Sequence, residues 1–161
     1  QYLLDKKKVT QILILDLDVH QGNGTAAIFE SNPNVFTCSV HGSKNYPFRK
    51  EKSDLDIALE DGTDDKSYLD KIKVMIPSLL DNIKPDFVFY LCGVDVLSTD
   101  KLGRLGLTIE GCKKRDEFVL KQCNARNIPL QCSMGGGYSK DIKVIIEAHA
   151  NTYRAAKSIY T

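Results

Sequence analysis

The sequence carries no strong excess of either charge and no long apolar run. Its formal net charge is +1 over 161 residues, which gives none of the basic field that nucleic-acid binding needs, so we expect no direct contact with nucleic acid. No segment approaches the roughly 18 apolar residues of a membrane span, and no signal-peptide pattern precedes the first predicted strand. We therefore predict a soluble globular protein without a membrane segment.

Paired cysteine motifs are also missing. The five cysteines are odd in number and include no Cys-x-x-Cys pair, which favours a reduced, cytoplasmic setting over a disulfide framework. Internal repeats and low-complexity tracts are absent as well. A length of 161 residues suits one domain with one core, and we predict a single domain over residues 1–161.

Apolar segments of strand length alternate with helical patterns, which predicts an α/β fold whose mainly parallel sheet lies between two helical layers. Four of the segments are nearly continuous in apolar character, as is typical of strands covered on both faces. The predicted strands are Ile12 to Asp18, Val35 to Val40, Phe87 to Leu91 and Leu130 to Met134, with a weaker one at Leu55 to Leu59.

Helices are predicted between these strands. They cover Thr25 to Glu30, Tyr68 to Ile83, a segment from an N-cap at Thr108 to Asn124, and a last helix capped by Asp141 or Ser139. Pro77 should kink or interrupt the second of them. In the last helix a stripe at three-four spacing is predicted to be buried, with His149 as a packed side chain and not a ligand; the stripe comprises Ile142, Ile145, Ile146, His149, Tyr153, Ala156 and Tyr160.

Ionisable side chains follow the first strand, in "ILILDLDVHQGNGT" at residues 12–25. Asp16, Asp18 and His20 occupy every second position, so on a continuing strand they would share one face. Asp95 follows the strand "FVFYLCG", and Tyr138 follows "LQCSM" on a glycine hairpin. Because ligands bind beyond the carboxyl ends of parallel strands, we expect these groups to meet at one rim of the sheet.

Buried carboxylates need a compensating cation or protons, and a divalent metal is the simplest answer. Oxygen ligands from Asp18 and Asp95, a nitrogen ligand from His20 and a remaining position for water suit a catalytic zinc site. The competing interpretation is that Asp18 is a turn residue and His20 an ordinary surface group. The separate segment that supplies Asp95 weighs against that interpretation.

The segments "DLDVHQGNGTA", "YLCGVDVLSTDKLGRLGLT" and "GGGYS", in that order, resemble the histone deacetylase family, especially its bacterial and class IV-like members. The resemblance runs from about Ile12 to Tyr153 and implies an arginase/deacetylase-like fold. It also implies a zinc-dependent hydrolase that removes acyl groups, such as acetyl, from lysine-type amides.

Residue by residue, the resemblance implies that Asp18, His20 and Asp95 are the zinc ligands. Tyr138 matches the tyrosine whose hydroxyl polarises the substrate carbonyl. Asp16 and Ser39 match members of a site for a structural monovalent cation such as K⁺, where Asp16 also orients a histidine in the family. Phe48 and Leu102 are looser matches to the walls of the acyl-lysine channel.

The sequence departs from the family in its histidines. The family carries two adjacent histidines that manage proton transfer, whereas His20, His41 and His149 are the only histidines here and none is adjacent to another. The chain also starts without Met and enters a strand almost at once. We therefore expect the C-terminal part of a longer deacetylase catalytic domain, incomplete at its N-terminal side, which alone binds metal poorly and turns over little. An exposed sheet edge that pairs with the missing part or with another copy in an oligomer is expected too.

Three alternatives stay open at this point. Ureohydrolases of the arginase type share the architecture, but they need aspartates where this sequence has Gly22 and Leu97. A non-catalytic remnant acting as a metal-binding or assembly module would explain the missing histidines. A nucleotide-binding protein using "GNGT" is disfavoured because the full glycine pattern is absent.

Overall fold

A computed structural model describes residues 1–161. Five strands form one sheet of order β3-β2-β1-β4-β5, and every neighbouring pair is parallel. The elements in chain order are α1 (Tyr2–Asp5), β1 (Ile12–Asp16), α2 (Asn23–Phe29), β2 (Val35–Gly42), β3 (Leu55–Leu59), α3 (Asp65–Ile83), β4 (Phe87–Leu91), α4 (Ile109–Asn124), β5 (Leu130–Ser133) and α5 (Ile142–Tyr160). The predicted α/β class and parallel sheet are confirmed.

The two faces of the sheet are covered unequally. Leu13 and Leu15 of β1 belong to the main core, which includes the buried sides of α3 and α4. Ile12 and Ile14, on the opposite face, form a small cluster packed with Leu4 of α1 and Phe29 of α2. This alternation explains why Ile12, Leu13, Ile14 and Leu15 are all buried, because the side chains on each face of the strand have apolar partners.

Helix α3 is continuous from Asp65 to Ile83, with Pro77 inside it. Of the two outcomes predicted for Pro77, a kink or an interruption, the interruption does not occur. Proline removes one backbone hydrogen bond, but buried apolar residues lie on both sides of it, among them Ile72, Ile76 and Leu80. Packing against the core therefore holds the two halves in one helix.

The predicted buried stripe of α5 is only partly correct: Ile145 packs partly buried against the main core, and His149 and Ala156 are half-buried. The buried residues of α5 are Ala148, Asn151, Thr152 and Ala155, whereas the larger side chains Ile142, Ile146, Tyr153 and Tyr160 are exposed. The buried face of α5 carries Thr152, with the small residues Ala148 and Ala155 on either side. The hydroxyl of Thr152 donates a hydrogen bond to the buried carboxylate of Asp116 on α4. His149 is only partly buried, and its Nδ1 has no hydrogen-bond partner.

The outermost strands of the sheet are β3 and β5. The helices include none that is both long and apolar enough to cross a membrane. All five cysteines are free.

Candidate metal site

The turn after β1 brings Asp18 and His20 into position. Strand β1 ends at Asp16, so the predicted continuation to Asp18 is wrong, and strand alternation does not explain how these side chains converge. Instead Asp16 Oδ1 accepts a hydrogen bond from the amide of Asp18 (3.0 Å), and Asp18 Oδ1 accepts one from the amide of His20 (2.9 Å). Each aspartate thus closes a turn onto the amide two residues ahead, a local bond that competes with strand pairing.

Asp18, His20 and Asp95 converge on one point. One ligand atom from each residue lies within 4.8 Å of the others. His20 Nδ1 is 3.0 Å from Asp18 Oδ1 and 3.2 Å from Asp95 Oδ2. The second oxygen of Asp95 accepts a hydrogen bond from the amide of Val19 (3.0 Å), which ties the segment after β4 to the turn after β1. The structure therefore brings together the three residues predicted as metal ligands.

Two glycines let backbone come close to these carboxylates. A Cβ at Gly93 would overlap Asp18 Oδ2 and lie 2.9 Å from Asp18 Cα. Gly136 has φ +66°, in the left-handed region, and a Cβ there would lie 2.6 Å from Asp95 Oδ2. Side chains at these positions would displace both carboxylates, so the segments after β4 and β5 fit around them only as glycine.

The electrostatics of the cluster call for positive charge. Hydrogen bonds to Asp18 and Asp95 raise the pKa of His20 to about 10. Burial raises the pKa of Asp95, although the hydrogen bond from His20 opposes the rise. Burial also acts to raise the pKa of Asp18, but its hydrogen bonds with His20 outweigh burial and leave that pKa lowered.

The raised pKa of His20 means that an imidazolium can offset part of the negative charge of the two carboxylates when no ion is bound. A divalent ion, with two positive charges, would displace that proton and could balance both carboxylates. Two carboxylate oxygens and one imidazole nitrogen are also a donor set that zinc accepts. The residues present thus fit a metal ion.

Asp16 and Ser39 lie beneath this turn, on the α2 side of the sheet. They are lateral partners in the β1–β2 register, and both are buried. Ser39 Oγ accepts a hydrogen bond from the amide of Gly22 (3.3 Å) and is 3.0 Å from His41 Nδ1. Burial raises the pKa of Asp16 to about 7, and the charges of Asp18 and Asp95 raise it as well. Asp16 therefore supports the turn from below and is not a member of the ligand triad.

Tyr138 is the predicted site residue that the structure does not bring into the cluster. Its side chain is 58% exposed, and it takes no part in the hydrogen bonds of the triad. Its backbone is fixed, because its amide donates to Asp100 Oδ2 (2.7 Å). The other oxygen of Asp100 accepts from the amides of Leu102 and Gly103 (2.8 Å each), so Asp100 joins the glycine hairpin to the segment after Asp95.

Sequence reasoning missed Asp100, together with Asn45. Asn45 is buried; its Nδ2 donates to the carbonyl of Leu102 (2.8 Å), and its Oδ1 accepts from the amide of Arg104 (3.2 Å). The available signal for Asp100 was an aspartate three residues before a glycine, the pattern of a turn. Asn45 lies in an irregular loop, and nothing in its local sequence indicates a partner 57 residues away.

A cleft of about 620 Å³ opens beside His20. Its walls include the loosely matched Phe48 and Leu102, as well as Tyr46 and the cations Lys44, Lys101, Arg104. One wall is the rim loop (residues 43–50), which the ammonium of Lys50 closes by donating to the carbonyls of Ser43 (3.2 Å), Asn45 (2.7 Å) and Pro47 (2.6 Å). The cleft connects the triad to solvent on the side where the His20 side chain is 30% exposed.

Comparison with known proteins gives a consistent result. A family model described as "Histone deacetylase domain" matches residues 1–153. The chain belongs to the histone deacetylase family. It is 46% identical over 150 residues to an uncharacterized protein of Picosynechococcus sp., covering 93% of this chain and 50% of that protein. It is 31% identical over 151 residues to Histone deacetylase 2 of Arabidopsis thaliana, covering 91% of this chain and 39% of that protein.

The fold agrees with this family. The crystal structure of acetylpolyamine aminohydrolase from Burkholderia pseudomallei superposes with a TM-score of 0.79 at 18% identity, covering 96% of this chain and 47% of that chain. The arginase/deacetylase-like fold implied by the sequence resemblance is thereby confirmed. This deacetylase-family chain spans about half or less of the length of the curated relatives described above.

Proposed function

We propose that this chain carries the zinc site of an amide hydrolase that removes acyl groups, such as acetyl, from lysine-type amides. The observation that supports this most directly is the convergence of Asp18, His20 and Asp95 beside an open cleft in a chain that belongs to the histone deacetylase family. Family membership favours this hydrolase over the ureohydrolase and nucleotide-binding alternatives.

The proposed roles follow from the chemistry of the side chains. Asp18, His20 and Asp95 would hold the ion, which when bound supplies an acidified water and polarises the amide carbonyl. Tyr138 would donate a hydrogen bond to the oxyanion that develops on that carbonyl. Its position on a hairpin that contacts Asp95 through Gly136 supports this role. The cleft beside His20 would receive the acyl-lysine side chain, with Phe48 and Leu102 along its walls.

Asp16 and Ser39 are proposed to take part in a monovalent cation site, such as one for K⁺. Their burial and lateral pairing beneath the ligand turn support this proposal. Such a cation would compensate Asp16 as its carboxyl ionises.

A second candidate function is a metal-binding or assembly module without turnover. The absence of adjacent histidines from the 161 residues favours it, because amide hydrolysis requires a general base and acid for its proton transfers. Both candidates need the metal, so metal binding is tested first and hydrolysis second.

The test measures thermal unfolding of the protein, as its source organism makes it, during a zinc titration. At a free zinc concentration 100 times the Kd, binding to the folded state alone adds about 2.7 kcal/mol to the free energy of unfolding. We expect Asp95→Ala and His20→Ala to abolish this stabilisation, whereas His41→Ala retains it as the matched histidine control. Hydrolysis of an acetyl-lysine peptide is then measured on the protein as its source organism makes it.

The outcomes separate the candidates. Zinc stabilisation that depends on His20 and Asp95, with hydrolysis, supports the enzyme. The same stabilisation without hydrolysis supports the non-catalytic module. Full zinc stabilisation in the Asp95→Ala variant refutes the site itself.

A further inference from the structure

Arg115 of α4 is a fully buried cation that lies behind the ligand triad. Its relative exposure is 0%. Its Nη1 donates to two backbone carbonyls, that of Leu17 (3.0 Å) and that of Gly93 (2.8 Å). One nitrogen of one side chain therefore joins two segments that are far apart in the sequence.

Both carbonyls belong to the segments that carry the metal ligands. Leu17 immediately precedes Asp18 in the turn after β1. Gly93 lies two residues before Asp95, and its backbone packs against Asp18. Arg115 thus fixes the spacing between the segment that supplies Asp18 and the segment that supplies Asp95.

Asp116 holds the guanidinium in this position. Its Oδ1 accepts from Arg115 Nε (2.8 Å) and from the hydroxyl of Tyr90 (2.5 Å), and its Oδ2 accepts from Thr152 Oγ1 (2.5 Å). Three donors from three elements orient this carboxylate. The orientation of the Arg115 guanidinium toward the two carbonyls is therefore fixed.

Stability alone does not account for such a pair. A buried ion pair loses the hydration of both charges, and apolar residues of similar size are often equally or more stabilising. What apolar residues cannot do is donate to two carbonyls at once, whereas the guanidinium has several donors in a rigid plane. The pair is thus better explained by the geometry it imposes than by the free energy of unfolding.

We propose that Arg115, held by Asp116, is a positioning residue that sets the distance between Asp18 and Asp95 through the backbone of Leu17 and Gly93. The expected effect on metal binding rests on the proposed function. The expected effect on the contact between the two segments does not depend on it.

The experiment compares two double variants of the protein as its source organism makes it. Arg115→Met with Asp116→Leu removes the buried pair without leaving one charge alone. Arg126→Met with Asp81→Leu makes the same substitutions at a solvent-exposed pair, in which Arg126 Nε lies 2.7 Å from Asp81 Oδ1, and serves as the control. Arg115→Lys is a third variant that retains the buried charge but not the planar set of donors.

The first measurement is amide hydrogen exchange at Val19, without metal. That amide donates to Asp95 Oδ1 and reports directly on the contact between the two segments. We expect exchange at least about tenfold faster in the Arg115→Met/Asp116→Leu variant, beyond the increase that its loss of global stability explains, because the contact between the two segments opens locally. The control pair should leave Val19 unchanged.

The second measurement is cobalt(II) binding, read from its affinity and its visible absorption spectrum. Removal of groups that orient metal ligands typically weakens affinity about 10- to 100-fold, and we expect that loss together with an altered spectrum. Arg115→Lys should change both readouts in the same direction, which keeps the test decisive if the double variant does not fold.

Unchanged exchange at Val19 in folded variants overturns the proposal. So does unaltered cobalt affinity and spectrum in a variant whose wild type binds cobalt. A wild-type protein, as its source organism makes it, that binds no cobalt, but whose Val19 exchange still depends on Arg115, refutes the metal site while supporting the positioning role.

Discussion

Replacing Gly136 with alanine tests how closely the glycine hairpin fits the triad. The added Cβ would lie 2.6 Å from Asp95 Oδ2 and 2.7 Å from Asp95 Cβ, at a residue whose φ is +66°. A left-handed backbone costs a non-glycine residue about 1–2 kcal/mol. Over-filled packing adds typically about 1–3 kcal/mol, so we expect the free energy of unfolding to fall by about 2–5 kcal/mol.

The chain offers a matched control at Gly62. Its φ is +74°, but nothing lies within 4 Å of the position of an added Cβ. Gly62→Ala should therefore cost only the backbone contribution of about 1–2 kcal/mol. Since one kcal/mol moves the melting temperature of a chain of this size by about 2–4 °C, calorimetry can resolve the difference between the two variants.

Metal binding provides the second readout for this pair of variants. Gly136→Ala displaces Asp95 and should weaken cobalt(II) binding, whereas Gly62→Ala should leave that binding intact. Equal stability losses in the two variants, together with equal cobalt affinity, would refute the close fit between the hairpin and Asp95.

Three other changes test separate contacts. Thr152→Val removes a hydroxyl that donates to the buried Asp116 and should lower the free energy of unfolding by about 1.5–3 kcal/mol; an unchanged urea midpoint would contradict this. Lys50→Met should speed hydrogen exchange across the rim loop with little change in melting temperature, while Lys52→Met should not, and equal exchange in both variants would argue against the role of the ammonium. Tyr138→Phe, assayed on the protein as its source organism makes it, should retain metal affinity and reduce turnover about 100-fold; loss of metal instead would mean that the tyrosine is misassigned.

Most of the sheet was predictable because four of its five strands are nearly continuous apolar segments in the sequence. The bounds of β3 and β4 match the prediction, as do the caps at Thr108 and Asp141. Errors arose where a tertiary contact overrides a local pattern. Packing on both sides of Pro77 keeps α3 continuous. In α5 the hydrogen bond from Thr152 to Asp116 lies on the buried face, whereas most of the predicted isoleucine and tyrosine side chains are exposed.

In the site, too, some features were predictable from the sequence and others depend on tertiary contacts. Asp18, His20 and Asp95 were predictable because parallel strands deliver their carboxyl ends to one rim. The reason first given for the shared face of Asp16, Asp18 and His20 was wrong, since turns closed by aspartate side chains replace the strand after Asp16. Long-range bonds such as those of Arg115 and Asn45 leave no periodic signal in a sequence, and only the folded arrangement identifies their partners.

The contact between Val19 and Asp95 joins residues 76 positions apart, and an ion shared by Asp18, His20 and Asp95 would join residues separated by about the same number of positions. Such an ion would act as a reversible cross-link between segments that diffuse freely in the denatured ensemble, where closing a long loop is entropically costly. Loss of the ion would then remove one link between these segments and leave the Val19–Asp95 hydrogen bond and the contacts of Arg115. The free energy of unfolding would in that case rise with the concentration of the free ion, together with the occupancy of the site.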